Sequence, residues 1–132
     1  LPNTLFDKGR EAFLCGDIRW MKDTIRAALC SAMPDAKKDE YLTDVKTVLV
    51  SGPLTGKTKD NGVAGAGSTI FPNAAGEKSV AAVLFQDTGN PASSRLIALI
   101  DTLGSGKDFS IVPNGADIQI NWANGANRIF KL

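Results

Sequence analysis

The longest apolar runs in this chain lie in its C-terminal part, from residue 79 onward. Residues 79–85, Ser-Val-Ala-Ala-Val-Leu-Phe, form a run of strand length that the turn formers of residues 87–91, Asp-Thr-Gly-Asn-Pro, bring to an end. Residues 95–100, Arg-Leu-Ile-Ala-Leu-Ile, repeat the pattern and close on Asp-Thr-Leu-Gly. Runs this short between Gly, Pro and Asn read as strands, and their unbroken hydrophobicity predicts central strands covered on both faces. Further on the pattern alternates. Ile118, Ile120 and Trp122 face one way and Asp117, Gln119 and Asn121 the other, the period-2 mark of a half-buried strand. Asn124 and Gly125 tolerate positive φ, so residues 123–126 are expected to turn the chain into a hairpin with a return strand over 127–132. The C-terminus is then expected to be a sheet strand whose deletion unfolds the domain.

Upstream the pattern is mixed. Residues 4–14 predict a short helix, with Thr4 as cap, Asp7 and Glu11 in its early part, and a modest apolar face of Phe6, Phe13 and Leu14. Gly9 weakens this helix and Gly16 is placed to stop it. So short a helix must dock on something, either the protein's own sheet or a neighbouring subunit. Residues 17–31 fit a helical stripe (Ile18, Met21, Ile25, Leu29) and, from Asp23 onward, a strand alternation; the strand is favoured for 24–30. Residues 39–44 suggest one helical turn carrying Tyr41 and Leu42 inward, and 45–50 return to β character. Turns are then expected at 51–53 and 60–62, with a short apolar pair at Ile70 and Phe71. About seven strands spaced by turns predict a mainly β protein. The expected architecture is an antiparallel β-sandwich or rolled barrel with one short N-terminal helix. Residues 1–16 form a helical docking or interface segment, and 17–132 a single β domain.

Composition narrows the chemistry. A length of 132 residues suits one domain with a sizeable core, and a net charge of +1 with interspersed signs carries no nucleic-acid footprint. No apolar stretch approaches the roughly 20 residues of a membrane span, and no leader pattern is visible. There is no His, which removes the commonest general base and metal ligand. Two cysteines, Cys15 and Cys30, make neither a disulfide framework nor a zinc site. No catalytic, cofactor-binding or metal-binding residues are assigned.

Four patterns bear on that reading. Gly56-Lys57-Thr58 invites a phosphate loop, but the required upstream Gly position holds Ser51, Pro53 lacks an N–H, and a turn-rich stretch follows where a helix is needed. Asp87, Asp101, Asp108 and Asp117 lie near predicted strand ends without calcium-loop spacing, and turn capping accounts for each. Trp20, Trp122, Tyr41 and the phenylalanines read as core before they read as a stacking surface. The serines have no His partner for a triad.

Four stretches together carry a resemblance. They are Asp7-Lys-Gly-Arg-Glu-Ala-Phe-Leu14 with Gly16-Asp-Ile18; Ser51-Gly-Pro-Leu-Thr-Gly-Lys-Thr58 leading to Gly62-Val-Ala64; Ser94-Arg-Leu-Ile-Ala98 with Ile100-Asp-Thr102; and Pro113-Asn-Gly115 followed by Asp117-Ile118, Trp122, Asn124-Gly-Ala-Asn127 and Ile129-Phe130. In this order the chain resembles a family of small virion structural proteins of tailed bacteriophages. The resemblance implies a non-enzymatic component located in the virion, a capsid decoration or cement protein or a neck accessory, with other virion proteins (capsid, neck or tail) as partners. The alternative is a tail- or fibre-associated module that recognises a host surface carbohydrate. A homo-oligomer is expected, with neither nucleic acid nor membrane as partner. Leu1, Leu5, Phe6 and Phe13 are the candidate interface residues. The chain departs from the family at Cys15, where an acidic or polar residue is expected, and at Cys30, where an aliphatic one is usual. Cys15, at a helix end, is the candidate for an intermolecular disulfide; a buried thiol and a bond to Cys30 are the alternatives.

Overall fold

The apolar run at residues 81–86 is the middle strand of the observed sheet. A computed structural model describes residues 4–101, 109–122 and 129–131. Along the chain come β1 (Thr4–Leu5), helix α1 (Asp7–Cys15), β2 (Ile25–Cys30), β3 (Thr47–Pro53), β4 (Val63–Ala64) and β5 (Thr69–Phe71). They are followed by β6 (Ala81–Gln86), β7 (Leu96–Ile100), β8 (Ile118–Ile120) and β9 (Phe130–Lys131). Five strands form an antiparallel sheet in the order β1-β7-β6-β2-β3, and two small pairs, β4-β9 and β5-β8, accompany it. The sheet is open, ending at β1 and β3, so the fold is mainly β and sandwich-like, with one helix.

The central strands lack alternation because the sheet is covered on both faces. On one face Ala27, Leu29, Ala82, Leu84, Ala98 and Ile100 meet α1, Trp20, Phe71, Ile129 and Phe130. On the other Ala28, Cys30, Ala81, Val83 and Leu99 meet Phe6 and Leu42, with Ala36 and Val45 at the margin. Every residue of β7 is buried, and so are the first five of β6. The β6-β7 register slips between Leu84, opposite Ala98, and Phe85, opposite Leu96. Ile97 is therefore a bulge residue, and the Phe6 amide donates to its carbonyl at 3.0 Å.

That bulge explains Gly9. The helix backbone approaches β7 so closely that a Cβ at position 9 would lie 2.6 Å from the Leu96 carbonyl oxygen. Close approach to the sheet outweighs the cost of glycine within a helix. At the other end Gly16 takes φ +79, and cap N–H groups reach the carbonyls of Ala12 and Phe13, which stops the helix as expected.

Several expectations need correction. Thr4 is not a helix cap; it pairs with Leu99 in β1, and the helix begins only at Asp7, after an extended Phe6. The open edge of β7 captures Thr4 and Leu5 as a strand before the helix can start. Leu5 and Phe6, expected as interface residues outside the sheet, are 5% and 0% exposed inside the core. Leu14, expected on the buried helix face, is 88% exposed, because the helix turns Gly9 and Ala12 to the sheet instead. The turn expected at 51–53 belongs to β3: Ser51 Oγ accepts the Ala27 amide at 3.0 Å where the β2-β3 register shifts, and Pro53 sits on an edge strand that tolerates it. The return strand pairs with β4, with Ala64 opposite Phe130, while β8 pairs with β5. Contacts of Phe130 with Phe13 and Trp20 draw it to the helix side of the sheet. The hairpin tip expected at residues 123–126 lies outside the described residues, as do residues 127, 128 and 132 of the expected return strand.

Candidate functional site

Two concave places lined by described residues bear on function. The first lies at the C-terminal end of α1. Trp20 packs edge-on against Phe130, ring centroids 5.2 Å apart at 82°, and Phe13 lies 6.0 Å from the same ring. The indole N–H of Trp20 is used within the fold, donating to the Thr58 carbonyl at 3.0 Å. With Gly62, Val63 and Ala64 these rings line a pocket of about 190 Å³ whose one charged lining residue is Lys59. Leu14 and Cys15, which follow Phe13 in the chain, are both exposed. The wall is apolar, with edge-to-face ring packing behind it, so the pocket suits an aliphatic or aromatic group.

The second is a cleft of about 220 Å³ lined by Arg26, Leu42, Val50, Phe85, Asp87, Gly89, Pro91 and Ser94. Arg26 Nε donates to Asp87 at 2.5 Å and Nη1 to the Ser51 carbonyl at 3.1 Å. The Asp87 carboxylate also accepts the Gly89 amide at 2.8 Å, and this backbone bond, helped by Arg26, holds its carboxyl below the usual range. Thr88, Asn90, Ser93 and Ser94 bond among themselves in the adjoining loop. Both ends of the ion pair are satisfied within the chain, so the arrangement locks β2, β3 and the loop after β6 together.

The remaining candidates fall into place residue by residue. Leu1 and Asp108 lie outside the described residues. Phe13 is half-buried and lines the first pocket. Cys15 is exposed and Cys30 buried, both as free thiols, so the structure contains no bond between them. Lys57 Nζ donates to the Asp23 carbonyl at 2.6 Å, with desolvation lowering its pKa, and Thr58 bridges Gly65 in β fashion. Gly56-Lys57-Thr58 is thus a β connection pinned to the preceding loop and opens no helix. Asp117 accepts the Asn73 amide at 2.8 Å, a turn-bracing role. Trp122 packs against the core and donates to Thr69 Oγ1 at 3.0 Å. Tyr41 is half-buried, with the Arg95 guanidinium 5.5 Å over its ring. Among the described residues no group of three or more His, Cys, Asp or Glu could hold a metal ion, and no helix is long and apolar enough to cross a membrane.

Sequence reasoning missed Lys59, Val63 and Ala64 as pocket walls and the pairing of Arg26 with Asp87. These contacts join residues far apart in the chain, and no local pattern marks them. Neither a scan against protein-family models nor a search of curated proteins returns a match.

Proposed function

We propose that this chain is a non-enzymatic structural subunit of a tailed-bacteriophage virion, a capsid decoration or cement protein or a neck accessory that works by surface complementarity. The resemblance of its four sequence stretches motivates the reading. The structural observations that support it are Leu14, 88% exposed near the end of α1, and the apolar pocket that Phe13 helps to line. A subunit that binds a shell by surface complementarity needs apolar side chains exposed for its partner, and Leu14 is one such side chain. The segment that carries Leu14 is anchored, since Leu5 and Phe6 are buried in the core. The proposed interface role therefore passes from Leu5 and Phe6 to the far end of the helix, with Phe13 retained, while Leu1 lies outside the described residues.

The carbohydrate-binding alternative would draw on the cleft at Arg26 and Asp87. Its lining holds no exposed aromatic ring for a sugar to stack on, Phe85 being 2% exposed. Among the described residues, the exposed large hydrophobics are Leu14, Met21, Met33, Val50, Ile70 and Val112, with no aromatic among them.

The experiment is to purify particles, identify this chain in them by mass spectrometry, and locate its density in the imaged virion. Stoichiometric presence on the shell or neck is expected. Absence from washed particles rejects the reading. Density confined to fibre tips transfers it to the alternative.

A further inference from the structure

We draw no further inference here: the strongest candidate, the apolar pocket at the end of α1 lined by Phe13, Trp20, Val63 and Phe130, carries none because nothing in the structure shows what covers it.

Discussion

At the scale of single residues, Gly9 is the position where a small change tells most. In an unpacked helix Gly→Ala stabilises by about 1 kcal/mol. Here the added Cβ would meet the Leu96 carbonyl oxygen at 2.6 Å, and a backbone atom in a sheet cannot swing aside. Gly9→Ala is expected to destabilise by about 1–3 kcal/mol, the range for overpacking, and a urea titration gives the sign directly. The two thiols should also separate. Burial, with the charge of Asp39 adding to it, pushes the Cys30 thiol up to about 12, while Cys15 is exposed. A thiol reagent at pH 8 is expected to modify Cys15 rapidly in the folded protein and Cys30 only in denaturant. Equal rates for both would contradict the burial of β2.

At the scale of elements, the N-terminal segment is part of the fold. Phe6 is fully buried beneath the sheet, its amide bonds to Ile97, and the preceding Leu5 pairs with Ala98. Phe6→Ala is expected to cost about 3–5 kcal/mol, and removing residues 1–6 at least as much, because the truncation also strips the edge strand from β7. The urea midpoint measures both, and a truncated chain with the wild-type midpoint would contradict this anchoring. The Arg26–Asp87 pair ties β2 to the loop after β6, with side chains 30% and 24% exposed. Asp87→Ala leaves the Arg26 Nε and the Gly89 amide without their acceptor. A loss of about 1–3 kcal/mol is expected, the lower end being favoured by solvent access.

For the whole molecule, the pH dependence follows from two carboxylates. Asp87 is held low chiefly by the Gly89 amide, and Asp44 by the Tyr41 and Glu40 amides. Both groups are depressed in the folded state, so their stabilisation is present above the unfolded carboxyl value of about 3.9 and is lost as pH falls through the folded values. With no histidine in the chain, no side chain has its ordinary pKa between pH 5 and 8. The thermal midpoint is expected to be flat across that window and to fall below about pH 4. Asp87→Asn should shallow the acid limb. A midpoint that moves strongly between pH 5 and 8 would point to a coupled group that these carboxylates do not include.

The chain's own pattern was enough to determine the sheet's central strands, and with them the mainly β class. Residues 81–85 and 96–100 are uniformly apolar, short and bounded by turn formers, which reads as strands covered on both faces, and Gly16 marks the end of α1 by its freedom at positive φ. What tertiary structure alone decided were the contacts between distant segments. Thr4 and Leu5 became a strand because β7 had an open edge, a fact about residues some ninety positions away. Gly9, which weakens a helix considered by itself, is needed because that helix lies against a bulged backbone. Leu14 faces solvent because the same close approach set the helix's rotation. The apolar pocket arises where α1, the loop at Trp20, β4 and β9 converge, and no stretch of sequence contains more than a fragment of it. Local periodicity reports which side chains avoid water; it does not report which neighbours cover them.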